Sequence, residues 1–424
     1  MSPRPKRFCM ITTFYPPYNF GGDGIFVQRL SNELARRGHH VEIIHCVDSY
    51  RLLGGQATHR SYELHPNVTV HGLHSRLGFL SPLATQQTGV PLLNAARIHS
   101  ILSKGFDVVH YHNVSLVGGP AVLKYGEGIK LYTTHEFWLV CPTHVLFRFN
   151  RAPCSRRDCL ACQLMCGRPP QWWRYSNLLR DAVQHVDAFL APSRFCIAKH
   201  REFGVDLPFV HMPYFVPQLD NGAASRPEDS DAEPRRPYFL FLGRLEKLKG
   251  LHTLIPLFRQ FRQAQLWIAG QGAWMTRLQR MAQGMPNVCF LGYQSGPQLR
   301  RLVAEAVAVI VPSICFDISP LVILEAFRQR TPVIARDLGG MTELVEDSGG
   351  GLVYRSDQEL LAAMGSLIRN PKLRQRLADT GYQAYLHLWT PEAHLQRYLS
   401  LIDELAQRRK SGQPSGRADS SAAD

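Results

Sequence analysis

Long apolar runs are missing from this 424-residue chain. The most apolar stretch, Leu302–Phe316, carries Glu305 and Pro312 and falls short of the roughly 20 residues that a membrane span needs. Behind Arg4, Lys6 and Arg7, the run Phe8–Ile11 is shorter than the about 7–15 apolar residues of a secretion signal. A cytoplasmic chain is expected. Charge is not abundant either. Only 19% of residues are charged against 45% hydrophobic, which excludes a disordered chain. Acidic side chains are the scarcer sign, 34 against 48 Lys+Arg, for a net +14. Residues 1–216 hold 23 basic and 13 acidic side chains, net +10, and the remainder hold 25 and 21, net +4. A basic half fits an anionic partner (phosphate, membrane surface or nucleic acid) without choosing among them.

What is present is length for two domains, at about 100–200 residues each. The stretch Pro217–Pro237 is almost free of apolar residues and reads as a linker. On either side, short apolar runs alternate with amphipathic segments. Arg7–Thr13 is followed by Ile25–Arg37, where Phe26, Leu30 and Leu34 recur at helical spacing until Gly38 stops the helix. Val41–His45, Val108–His112 and Leu131–Thr134 continue the strand pattern. After the linker come Tyr238–Leu242, Leu266–Ala269, Val288–Leu291, Val307–Val311 and Pro332–Ala335. Such alternation predicts two α/β domains, each a parallel sheet covered by helices, with ligands at the carboxyl ends of the strands. The expected boundaries are 1–216 with a Cys-rich insertion at about 141–180, linker 217–237, second domain 238–390, a returning helix 391–406 and a disordered tail 407–424.

Four segments carry the chemistry. Phe20–Gly24 (FGGDG) joins the first strand to the first helix, where glycines admit a close ligand and a helix N-terminus favours an anion. It is not the GxGxxG dinucleotide fingerprint. Gly243–Gly250 (GRLEKLKG) places Arg244, a planar fork, and Lys249, a point charge, just past a strand. In Pro312–Glu325 (PSICFDISPLVILE), Ser319-Pro320 is expected to start a helix with Pro at its first position, offering free N–H groups to a diphosphate. Glu325 follows within that helix, placed to accept from ribose hydroxyls. Gly339–Glu343 (GGMTE) is a further turn into a helix.

Taken in order, FYPP, GGDG, Thr134-His135-Glu136, GRLEKLKG, IAGQG, PSICFDISPLVILEA, TPVIA and GGMTELV resemble the family 4 retaining glycosyltransferases. The resemblance runs from about Phe8 to about Leu401. It implies the GT-B fold, two Rossmann-like domains facing a central cleft, and transfer from a nucleotide-diphosphate sugar to a hydroxyl acceptor in cell-surface polysaccharide or glycolipid assembly. It assigns Arg244 and Lys249 to the diphosphate, Glu325 to the ribose, and Asp317 and His135 to the transferred sugar. The backbone from Ile318 through Ser319, Pro320 and Leu321 would cap the phosphates, with Gly21 and Gly22 lining the cleft. No cofactor is implied for catalysis. Three departures stand out: Asp317 where the family usually has Glu, Glu136 where Asp is frequent, and Arg330 where a Gly usually ends the helix. Asp229-Ser230-Asp231 spells a metal signature of the other glycosyltransferase fold, but it lies in the polar linker.

Ten cysteines in a reducing compartment are not expected to form disulfides. Cys9, Cys46, Cys196, Cys289 and Cys315 are scattered in apolar strings and read as buried thiols. The other five crowd together as C-x12-C-x4-C-x2-C-x3-C. Cys141, Cys154, Cys159 and Cys162 suit a structural zinc, with an iron–sulfur cluster or a loop of free thiols as alternatives and Cys166 to spare. A subset of the resembled family shares the first four. From Arg148 to Arg180 there are seven Arg and one acidic residue, Asp158, with Trp172, Trp173 and Tyr175 among them. This segment reads either as a peripheral, lipid-facing surface or as a helix with its Trp side chains turned inward. Outside the glycosyltransferase reading stand a zinc-containing nucleic-acid-binding protein, a nucleotide-sugar epimerase and a phosphorylase. The phosphate-type motifs favour a nucleotide-sugar donor and no nucleic acid.

Overall fold

The computed structural model describes residues 4–55, 62–219 and 236–411. They divide into two units. One holds the residues up to Met212 joined by those from Leu395 onward, and the other is Pro213–His394.

The first unit is built on seven parallel strands: β1 (Arg7–Ile11), β2 (His40–Cys46), β3 (Val68–Leu73), β4 (Val108–Tyr111), β5 (Ile129–Thr133), β8 (Ala188–Ala191) and β9 (Phe209–His211). Their order is β3-β2-β1-β4-β5-β8-β9. Between β5 and β8 lies a two-residue antiparallel hairpin, β6 (Phe147–Arg148) with β7 (Ala152–Pro153). The second unit has six parallel strands: β10 (Tyr238–Leu242), β11 (Gln265–Ala269), β12 (Val288–Gly292), β13 (Ala308–Val311), β14 (Val333–Arg336) and β15 (Gly351–Tyr354), ordered β12-β11-β10-β13-β14-β15. The innermost strands, such as RFCMI and AVIV, are almost wholly buried, as a sheet covered on both faces requires. Both sheets reverse strand order once, at β1/β4 and at β10/β13. At such a switch point the two crossovers leave in opposite directions and open a crevice at the carboxyl ends of the strands.

The expected strands are present within a residue or two. Those the sequence did not signal are β3, β6, β7, β8, β9 and β15. Two boundaries differ from expectation. The first unit ends at Met212 rather than 216, because Pro213–Val216 is held by the second unit: the Val216 N–H donates to the Trp389 carbonyl at 3.0 Å, and the Tyr385 hydroxyl donates to the Val216 carbonyl at 2.9 Å. The last helix, Pro391–Lys410, runs four residues past its expected end, because Arg409 binds Asp187 at 2.7 Å. The linker apart from its ends, with Asp229-Ser230-Asp231, and the tail beyond 411 lie outside the described residues.

Candidate functional site

In the second unit, the predicted residues gather at the β10/β13 switch point. The chain leaving β10 passes Arg244 and makes a single 3-10 turn, Lys247–Lys249. Gly250 then adopts φ +74°, and a Cβ there would lie 1.8 Å from the Pro312 carbonyl oxygen. The loops after β10 and β13 are therefore packed backbone to backbone. The Ile314 N–H donates to the Leu248 carbonyl at 2.9 Å and seals the contact. The second loop is pinned from the other side, where a Cβ on Gly340 would meet the Ile318 carbonyl at 1.8 Å and the Gly340 N–H donates to the Asp317 carbonyl at 2.8 Å.

This packing brings Lys249 onto Asp317. The ammonium donates to both carboxylate oxygens, at 2.8 and 3.0 Å. Burial lowers the Lys249 pKa, but the facing Asp317 carboxylate more than offsets it, so the net shift is upward and the lysine stays charged. Asp317 is thus anchored to the cation rather than reaching outward. Arg244 is more open and pairs with Glu246 at 2.9 Å. Pro320 is not the first helical residue: it is the N-cap, in extended conformation, and the helix is Leu321–Arg328. Proline fits there because it donates no N–H. Ser319 does not cap this helix. Its hydroxyl is buried without a hydrogen-bond partner, next to the N-terminal turn of the helix. Glu325 lies half-buried just over one turn into the helix. Arg330 has φ +54°, so it carries the left-handed strain that glycine would relieve. Arg336, which the sequence reading passed over, supports the loop through the Pro312 carbonyl at 3.4 Å and the Thr253 hydroxyl at 2.9 Å.

In the first unit, Gly21 is the N-cap of helix Gly22–Arg36, and its carbonyl accepts from the Asn19 amide at 2.6 Å. His135 follows β5, and its Nε2 lies 2.9 Å from Nδ1 of His112, at the end of β4. The neighbouring His110 is fixed at both nitrogens, by the Tyr398 hydroxyl at 2.9 Å and the Thr133 hydroxyl at 2.8 Å. Burial depresses the pKa of His135 to about 3 and also lowers that of His112, so both rings are neutral. One proton must then lie between them. His112 Nε2 is buried without a partner. Either ring can donate in this bond, and each arrangement leaves His112 Nε2 without a partner. His112 gave no motif signal, though HYHN closing a strand at a switch point is readable afterwards.

The Arg148–Arg180 segment is not one helix. It contains the β6–β7 hairpin, helix Cys159–Met165, a 3-10 turn Trp172–Tyr175 and helix Leu178–Val183. Trp173 is buried, its Nε1 donating to the Gln86 carbonyl at 3.0 Å, while Trp172 and Tyr175 are 59% and 65% exposed. Cys141, Cys154, Cys159 and Cys162 line one cavity. Among the described residues, no helix is long and apolar enough to cross a membrane.

Two family models match the chain, glycosyltransferase family 4 over residues 20–217 and glycosyl transferases group 1 over residues 225–384. An uncharacterized glycosyltransferase of Methanocaldococcus jannaschii is 32% identical over 399 residues, covering 90% of this chain and 91% of that protein. Among solved structures, sucrose-phosphate synthase of Thermosynechococcus elongatus matches with a TM-score of 0.74 at 19% identity, covering 95% and 99% of the two chains. Anabaena HepE in complex with UDP-glucose matches at 0.64 and 17%, covering 96% and 100%.

Proposed function

The chain belongs to the family 4 glycosyltransferases, with the two Rossmann-like units of the GT-B fold, and on that premise we propose that it is a retaining enzyme using a nucleotide-diphosphate sugar. The observation that carries the reading is the Lys249–Asp317 pair at the β10/β13 switch point, beside the N-terminus of helix Leu321–Arg328. A fixed cation, free helix N–H groups and an unpartnered buried hydroxyl form an anion cradle. A diphosphate fits it. Lys249 and Arg244 would hold the phosphate oxygens and Glu325 the ribose. Asp317, tied to Lys249, would meet the sugar only at the reach its short side chain allows. The solved complex of the HepE relative with UDP-glucose supports a nucleotide-sugar donor.

In the proposed reaction the acceptor hydroxyl oxygen bonds to the anomeric carbon on the face from which the diphosphate leaves. The carbon–oxygen bond to the diphosphate breaks with its electron pair going to the phosphate oxygen, and the hydroxyl proton passes to that oxygen. No enzyme nucleophile is used. The cations stabilise the leaving charge, and the loops hold the donor in place. His135 and the Gly21–Gly22 turn carry, by resemblance, roles toward the sugar, and substitution of each tests them separately. A thermal-shift panel of nucleotide-diphosphate sugars, followed by NMR of the product's anomeric centre, decides the reading. A stabilising donor whose anomeric configuration survives transfer is expected. Inversion contradicts the mechanism, and absence of any nucleotide-sugar effect contradicts the function.

The acceptor is proposed to be a saccharide or lipid-linked saccharide for polysaccharide or glycolipid assembly, met by a cytoplasmic protein peripherally at a membrane. Exposed apolar side chains favour this. Among the described residues, ten of the fourteen exposed large hydrophobics fall in 77–93 and 160–175. The two stretches are joined through Gln86, which donates to the Pro169 carbonyl at 2.7 Å. Exposed Arg151, Arg156, Arg157 and Arg168 accompany them, the combination an anionic lipid surface attracts. Binding to anionic but not neutral vesicles at low salt is expected; equal indifference to both contradicts it.

A further inference from the structure

We propose that Cys141, Cys154, Cys159 and Cys162 form a tetrathiolate zinc site that holds the segment between β5 and β8. The four residues come from three local structures. Cys141 closes a turn after β5, its N–H donating to the Phe137 carbonyl at 2.7 Å. Cys154 follows the β6–β7 hairpin. Cys159 and Cys162 are three apart in helix Cys159–Met165 and so share one face of it. All four line a single cavity of ≈ 20 Å³, room for one body of about the size of a water molecule. Cys166 is not among the lining residues.

Three further observations agree. The Phe149 N–H donates to the Cys162 sulfur at 3.2 Å, the kind of bond that orients a thiolate ligand from outside the coordination shell. Arg174 places a positive charge near Cys141 and Cys159. The backbone between the first two cysteines is also strained: His144, Leu146, Phe149 and Asn150 all have positive φ. Such conformations persist where their surroundings fix them.

The thiols now serve protein groups. Cys154 donates to the Arg156 carbonyl at 3.1 Å, and Cys141 lies 3.3 Å from the Thr143 hydroxyl. Among the described residues, no three cysteine, histidine or carboxylate side chains already stand close enough to hold an ion. Binding therefore requires the thiols to turn about χ1. Each thiol gives its proton to solvent as its sulfur bonds the ion, leaving a closed complex of net charge −2 near Arg174. With four protein ligands there is no open position, so the role is structural.

Metal content decides the proposal, measured on the full chain purified without chelators. About one zinc per chain is expected in the wild type and in Cys166→Ser, and loss of zinc in Cys154→Ser. A chelator should lower the Tm of the wild type but not of Cys154→Ser. If that variant does not fold, the wild type alone answers: cobalt should give thiolate-to-metal charge-transfer absorption that zinc displaces. A wild type without zinc or cobalt uptake, zinc retained in Cys154→Ser, or iron with acid-labile sulfide overturns the assignment.

Discussion

Lys249 holds a charge for which two partners compete, Asp317 in the free protein and, in the proposed reaction, the donor diphosphate. The upward shift of its pKa depends on Asp317. Asp317→Asn should therefore lower that pKa and move the alkaline limb of kcat/KM to lower pH. An unmoved limb would show that Lys249 is not the group titrating there. The sign for stability is the same: a raised lysine pKa contributes below the unfolded value of 10.5 and is lost as pH rises through the folded one. In the first unit, His112 would act, on the proposed reading, through His135, which it contacts at 2.9 Å. His112→Phe removes the Nδ1 partner and should lower kcat by roughly tenfold, about 1.4 kcal/mol, with donor affinity kept. His112→Asn, whose amide can hydrogen-bond from nearly the same place, should restore much of the rate. Equal losses in both variants would make the role one of packing. That Arg244 and Lys249 follow β10 and Asp317 follows β13 was legible, because each motif directly succeeds an apolar strand. The tethering of Asp317 and the His112–His135 contact were not, since each depends on contact between segments 68 and 23 residues apart.

At the scale of elements, the central strands were readable because they are buried on both faces and therefore continuously apolar. The missed ones are short or mixed. VTVHGL in β3 carries Thr and His, and FVH in β9 is a three-residue strand at the sheet edge. Pro320 shows how a correct expectation of a helix start can err by one position: proline suits both N-cap and first turn, and the sequence does not separate them. Helix Leu321–Arg328 ends near Arg330, held at φ +54° and compensated by Asp379 at 2.8 Å and the Tyr382 ring at 4.1 Å. Arg330→Ala loses those contacts and keeps the strain, whereas Arg330→Gly loses both. The alanine variant should be the less stable of the two by about 1 kcal/mol in urea unfolding. Equal stability would mean that residue 330 relaxes out of the left-handed region.

Over the whole molecule, buried neutral histidines concentrate in the first unit. Burial depresses His45 and His200 to about 4 and His135 to about 3, from an ordinary 6.5. The folded state keeps them neutral while the unfolded chain takes up protons below 6.5. Their effect is absent above that pH and destabilises the fold progressively as pH falls toward 4. Unfolding at about pH 7.5 and about pH 5 should show a clear loss at the lower value, before most carboxylates protonate. A flat profile across that window would contradict the burial of these rings. The central claim, a diphosphate cradle at the β10/β13 switch point, is tested most directly by kcat/KM for sugar transfer in Lys249→Ala, using the donor that stabilises the wild type. Loss of about 100-fold or more is expected from removing one stabilising charge at the leaving group. An unchanged kcat/KM in a folded variant would contradict the account.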